Sequence, residues 1–189
     1  MTTRRDFLKT MTMASAGLAL GAGDILANPT FASQRKITDK VKIAYIGIGN
    51  RGEQIIGDFA RTGMVEVVAL CDVDMGAPHT QKVMNLYPKA KRFRDFRQMF
   101  DKAGNEFDAV AIATPDHSHF PISMLALASG KHVYVEKPLA RTFYEGELLM
   151  QAALKRPNLA TQVGNQGHSE ANYFQFKAWM DAGIIKDVT

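Results

Sequence analysis

The residues Val41-Lys42-Ile43-Ala44-Tyr45-Ile46-Gly47-Ile48-Gly49-Asn50-Arg51-Gly52 decide the fold. An apolar run leads into a turn with glycine at 47, 49 and 52, and then into a segment able to open a helix. This is the order of a nucleotide-binding βα turn. Gly47 permits the tight turn, Gly49 lets the backbone touch a pyrophosphate, and Gly52 lets helix and strand pack closely. The free N–H groups and positive end of the helix would hold phosphate charge.

A glycine turn alone also joins strands to helices for structural reasons. The next element narrows the reading. Val65-Glu66-Val67-Val68-Ala69-Leu70-Cys71 reads as a second strand and ends at Asp72, 25 residues beyond Gly47. That is near the spacing of the acid that accepts the ribose hydroxyls of NAD. Asp72 could instead only cap the following helix. No arginine or lysine directly follows it, so the sequence favours NAD over NADP.

Outward from these two strands the chain alternates. A helix carrying Ile55, Ile56 and Phe59 ends near Gly63; another spans Ala77–Leu86 and is closed by Pro88. Lys91–Phe93 is at best a short edge strand, and Asp95 can cap a helix ending near Gly104. Asp108–Ala113 is a strand, and Pro121 is placed to start the helix after it. His132–Val135 is a strand, Thr142 can cap a helix to Leu154, and Ala160–Val163 is a further strand. Ser169–Asp181 is a last helix, and Ile184-Ile185 begins what reads as another strand. The expectation is a Rossmann-type α/β fold, a doubly wound parallel sheet with helices on both faces.

Ligands bind such sheets at the carboxyl ends of the strands. The polar clusters fall there: Asp72 to Asp74, then Thr114-Pro115-Asp116-His117-Ser118-His119, then Glu136-Lys137-Pro138, then Gly164-Asn165-Gln166-Gly167-His168. His117 and His119 have a chelating spacing, but no third ligand stands at metal spacing, so no metal is assigned. Lys137, beside Glu136 and before Pro138, is placed to hydrogen-bond a substrate hydroxyl. On placement alone it is equally a solvated turn lysine.

The net charge of +4 over 189 residues, with no basic block, gives no support for a nucleic-acid partner. The single cysteine, Cys71, allows no intrachain disulfide and reads as a small core side chain. Residues 1–32 read as a leader rather than fold. Thr3-Arg4-Arg5-Asp6-Phe7-Leu8-Lys9 matches the twin-arginine export pattern, and Met11–Gly21 is too short and weakly apolar for a stable membrane anchor. The alternative is an ordinary basic amphipathic N-terminus. The export reading gives a signal peptide at 1–32, a linker at 33–40, and a periplasmic or otherwise exported protein served by the twin-arginine machinery.

With Gly47-Ile48-Gly49-Asn50-Arg51-Gly52, Ala113-Thr114-Pro115-Asp116 with His119, and Glu136-Lys137-Pro138 in view, the chain resembles the Gfo/Idh/MocA family of NAD(P)-dependent oxidoreductases. The resemblance runs from about Val41 to Thr189. It implies an NAD-binding domain over 41–168, and at 169–189 a helix and the start of a second, substrate-binding α/β domain that the 189 residues do not contain. It implies that Gly47, Gly49, Asn50, Arg51, Gly52 and Asp72 hold the cofactor, and that Thr114, Pro115 and His119 line its cleft. Glu136 would contact the nicotinamide-side ribose, and Lys137 would touch both the cofactor and the reacting hydroxyl as the catalytic residue. The family pattern has arginines where this chain has Gly164–His168, which leaves the substrate contacts and a role for His168 open. The implied function is hydride transfer between NAD and a hydroxyl-bearing carbon of a sugar, cyclitol or glycoside, a small carbohydrate-like partner. A homo-oligomer through the second domain is left open. The alternatives are an NAD-dependent glycoside hydrolase without net redox change, or a non-catalytic NAD-binding fragment.

Overall fold

The computed structural model describes residues 39–167 and 170–186. The leader, most of the linker and His168 lie outside the described residues.

Six strands form one sheet: β1 (Val41–Ile46), β2 (Val65–Cys71), β3 (Lys91–Phe93), β4 (Ala109–Ile112), β5 (His132–Glu136) and β6 (Thr161–Gly164). The order is β3-β2-β1-β4-β5-β6, and every neighbouring pair is parallel. The direction of winding reverses between β1 and β4. In open parallel sheets that reversal leaves a crevice outside the carboxyl ends of the strands.

The helices are α1 (Arg51–Arg61), α2 (Pro78–Leu86), α3 (Phe96–Ala103), α4 (His119–Ala128), α5 (Phe143–Leu154) and α6 (Ala171–Asp181). Alternation along β1 divides the core. Ile43 and Tyr45 face a layer with Ile55 and Ile56 of α1 and Val83 of α2. Ala44 and Ile46 face the opposite layer, with Met99 of α3, Ile122 of α4 and Leu149 of α5. Successive side chains point to opposite faces of a strand, so a strand apolar throughout must be covered on both sides. Each fully buried aliphatic side chain here contributes roughly 1.5–3 kcal/mol.

Local signals set the helix ends. The Asp95 carboxylate accepts the Arg97 N–H at 2.9 Å and caps α3. Thr142 and Glu145 form a reciprocal capping box at α5, a device that stabilises by about 1 kcal/mol.

Two boundaries differ from expectation. α4 starts at His119, two residues before Pro121. Proline within a first turn costs no intrahelical bond, because the N–H groups there are unpaired anyway. Ile184 and Ile185 are not a strand: their N–H groups donate to the Trp179 carbonyl, closing the end of α6. Lys91–Phe93 does join the sheet, paired with Ala69–Cys71 of β2.

Candidate functional site

The glycine turn follows from close backbone approach. The Gly47 N–H donates to the Cys71 carbonyl at 2.8 Å and the Ala113 N–H donates to the Ile46 carbonyl at 2.8 Å, so the turn is pinned to both flanking strands. Gly47 has φ +78°, and a Cβ there would stand 2.6 Å from the Ala113 carbonyl oxygen. A Cβ on Gly52 would overlap the Gly47 carbonyl oxygen and stand 2.8 Å from its carbon. Glycine is therefore required at both positions by backbone contact. Asn50 also has positive φ, +46°, which asparagine tolerates better than most residues.

Asp72 does not cap α2. Its Oδ2 accepts the Ile48 N–H at 2.9 Å and its Oδ1 accepts the Asp74 N–H at 3.0 Å. The acid is thus locked to the glycine turn at the end of β2, with lone pairs to spare for ribose hydroxyls. Asp74 is structural, and its carboxylate accepts the Gly76 N–H at 3.2 Å.

These residues line a cleft of about 600 Å³ with Gly47, Gly49, Asn50, Arg51, Asp72, Thr114 and Pro115 in its wall. His117 is in the same wall, whereas His119 lies behind it, 1% exposed. The His119 Nδ1 is 2.6 Å from the Pro138 carbonyl oxygen and Nε2 is 2.8 Å from that of Thr114. The two histidines do not converge on one point. His119 instead ties the loop after β4 to the loop after β5. A neutral imidazole carries one N–H, so both bonds are donated together only when the ring is protonated.

A second compartment of about 400 Å³ adjoins the first and holds Glu136, Lys137, Gln166 and Asp116. Arg51, Ala113 and Thr114 belong to both walls. Glu136 is 4% exposed, yet it is paired: Arg51 donates to Oε1 at 3.1 Å, the Tyr134 hydroxyl donates to the same oxygen at 3.2 Å, and Gln166 donates to Oε2 at 2.6 Å. Burial pushes the Glu136 carboxyl up, but the bonds from Arg51, Gln166 and Tyr134 outweigh it and hold the acid below its usual range. Burial and the nearby Glu136 push the Tyr134 phenol up. Lys137 has no side-chain partner among the described residues and is exposed in this compartment. The Lys137–Pro138 bond is cis.

The residues fit a dinucleotide. Gly47 and Gly49 put bare backbone in the wall of the cleft, and the buried Arg51 Nε and Thr114 Oγ1 lack a hydrogen-bond partner among the described residues. Both sit where the two compartments meet. Unpaired buried donors are costly, and a bound acceptor would satisfy them.

Four side chains at the site were not singled out from the sequence. Tyr134 shares the strand face of Glu136 by alternation, and Gln166 and Arg94 follow the ends of β6 and β3; the rule of reading after each strand could have found them. Arg94 brings a cation into the cleft of Asp72 from the segment after β3, 22 residues further along the chain. His79, from α2, carries no sequence signal at all. Burial pushes the Cys71 thiol, at the base of this cleft, up to about 12, so it stays protonated.

Comparisons with known proteins agree with this geometry. Residues 41–165 match the model of the oxidoreductase family with an NAD-binding Rossmann fold. The α-N-acetylgalactosaminidase of Shewanella oneidensis is 30% identical over 161 residues, covering 75% of this chain and 35% of that protein. The inositol 2-dehydrogenase of Salmonella typhimurium is 29% identical over 147 residues, covering 77% and 43%. The crystal structure of scyllo-inositol dehydrogenase from Lactobacillus casei with bound NAD(H) and scyllo-inositol superposes with a TM-score of 0.68 at 27% identity, covering 80% of this chain and 44% of that one. The chain thus spans between about a third and somewhat under half of the length of these relatives. Turn, acid, cleft and family match coincide over the same residues, and the chain belongs to the Gfo/Idh/MocA oxidoreductase family, whose NAD-binding Rossmann domain it carries.

Proposed function

We propose that the protein transfers hydride between NAD and a hydroxyl-bearing carbon of a sugar, cyclitol or glycoside. The observation that carries this reading is Lys137. Its side chain has no partner among the described residues and lies just past the end of β5, in a compartment that shares a wall with the dinucleotide cleft. Bound NAD supplies the hydride acceptor. In this reading the Lys137 Nζ hydrogen-bonds the reacting hydroxyl; as the carbon gives up hydride, the hydroxyl proton passes to the Lys137 amine, which takes part as the neutral base and is left as the ammonium. Glu136, held ionised by Arg51, Gln166 and Tyr134, lines the same compartment as Lys137. Asp72, the acid at the end of β2, supports NAD over NADP.

A second reading has a specific observation behind it. One relative of comparable identity is named an α-N-acetylgalactosaminidase. A glycosidase that borrows NAD without net redox change would use the same cleft and the same lysine.

One assay separates the two. The purified protein is incubated with NAD and either cyclitols and free sugars or an aryl α-N-acetylgalactosaminide. Net NADH from the former supports the dehydrogenase; aglycone release without NADH supports the glycosidase. Lys137→Met should lower turnover about 10²–10⁴-fold in either case while NADH still binds. Full turnover in Lys137→Met would refute both.

The reading includes export. Arg4-Arg5 with the short Met11–Gly21 segment supports delivery by the twin-arginine route. Recovery of the protein solely from the cytoplasmic fraction of the producing cell would overturn that part.

A further inference from the structure

His79 occupies an unusual place in the dinucleotide cleft. It stands in the first turn of α2, directly after Pro78. Its ring lies against Gly49, the second glycine of the turn. A Cβ on Gly49 would run into Cδ2 and stand 2.7 Å from Nε2 of the imidazole. The ring therefore covers the same bare Cα that lets a backbone approach a pyrophosphate in this fold.

The ring has nothing of its own to bond. His79 is exposed and makes no side-chain hydrogen bond or ion pair among the described residues. Its companions in the wall locate it along the cleft. They are Asp72 and Val73 after β2, and Arg94 and Phe96 after β3. The acid after β2 marks the adenosine ribose, so this is the adenylate half; Glu136 and Lys137 are in the other compartment. Arg94 is likewise exposed and makes no side-chain hydrogen bond or ion pair among the described residues, so this half of the cleft presents two donors to an anion.

We propose that His79 is a cofactor-binding residue that donates an imidazole N–H to the adenylate-side phosphate of the dinucleotide. This rests on the NAD-binding reading above. The phosphate would lie between the α1 N-terminus and the His79 ring, gripped from both sides. Arg94 would add its charge from the β3 side.

The competing role is packing, with the ring merely filling the space that Gly49 leaves. His79→Phe separates the two, since it keeps a ring over Gly49 and removes both nitrogens. His79→Gln keeps an N–H donor at similar reach. Titrations on the whole protein would use NADH fluorescence, with ADP-ribose and nicotinamide mononucleotide as competitors. Thermal unfolding without ligand checks that each variant folds.

A lost hydrogen bond to a charged group predicts that Phe and Ala weaken NADH and ADP-ribose about ten- to a hundredfold. Gln should stay within a few fold, and nicotinamide mononucleotide should bind all variants alike. Parental ADP-ribose affinity in His79→Phe would reduce the residue to packing and overturn the proposal. Equal weakening of nicotinamide mononucleotide would place His79 on the wrong half and overturn it too. A parent protein that binds neither NADH nor ADP-ribose would instead defeat the NAD-binding reading, and this inference with it.

Discussion

Gly52 and Gly57 lie in the same helix, α1, and the same substitution should have opposite effects at the two sites. In a helix interior, replacing glycine by alanine ordinarily gains roughly 0.5–1 kcal/mol, because alanine loses less backbone freedom on folding. At Gly57 nothing opposes that gain, since the nearest atom to an added Cβ is Arg61 Nη1 at 3.8 Å. At Gly52 the obstacle is main chain. The methyl would overlap the Gly47 carbonyl oxygen and stand 2.8 Å from its carbon, where about 3.5 Å is comfortable. Gly47 cannot retreat, because its N–H is bonded to Cys71 and its α-carbon is crowded by Ala113. α1 must shift away from β1 instead. Overpacking of this kind costs typically 1–3 kcal/mol, more than the helix propensity returns. The expectation is that Gly57→Ala raises the midpoint of thermal unfolding and Gly52→Ala lowers it, at about 2–4 °C per kcal/mol. Gly52→Ala should also weaken NADH binding, because moving α1 displaces the N–H groups that face the phosphate. Calorimetry and fluorescence titration measure both. A Gly52→Ala protein as stable as Gly57→Ala, with parental NADH affinity, would refute the claim that turn–helix contact selects this glycine.

Two further outcomes follow from the paired carboxylate and the buried imidazole. Glu136 is held below its ordinary value of 4.5, so the unfolded chain binds its proton first as pH falls. Its contribution to stability is complete above the ordinary range and fades as pH drops through and below it. Glu136→Gln should therefore cost stability at neutral pH, on the order of 1–3 kcal/mol, and flatten the acid limb of the unfolding midpoint against pH; an unchanged acid limb would contradict the pairing. His119→Leu should remove the ring nitrogens that face the Thr114 and Pro138 carbonyls and cost about 1–3 kcal/mol, with the loss read as a lower urea midpoint; parental stability would show that neither contact matters to the fold.

The fold was legible because its signals are local. Buried strands read as unbroken apolar runs, helix ends carry caps such as Asp95 and Thr142, and the Gly47–Gly52 turn spells out its own backbone demands. The site was legible only as far as strand ends could be recognised. That rule reaches Asp72, Thr114, Glu136 and Lys137, which line the two compartments, but gives no directions to side chains. It could not separate His117, which faces the cleft, from His119, two residues on and turned into the protein. Pairings across the chain were invisible for the same reason. Gln166 meets Glu136 over 30 residues, and Arg51 meets it over 85. The Gly49–His79 contact joins a turn to a helix whose sequence carries no sign of it. The leader, most of the linker and His168 lie outside the described residues and stay expectations from sequence.

The two compartments share only Arg51, Ala113 and Thr114. The first is lined by segments after β1, β2, β3 and β4, while Glu136, Lys137 and Gln166 after β5 and β6 line the second together with Asp116 after β4. Such a partition makes the protein evolvable in halves. In the proposed reading, substitutions at Gln166 or Asp116 would act on the substrate side without loosening the coenzyme, and changes at His79 or Arg94 would act on the coenzyme side alone. Arg51, with Ala113 and Thr114, is the exception: lining both, these are positions at which a change on one side is felt on the other.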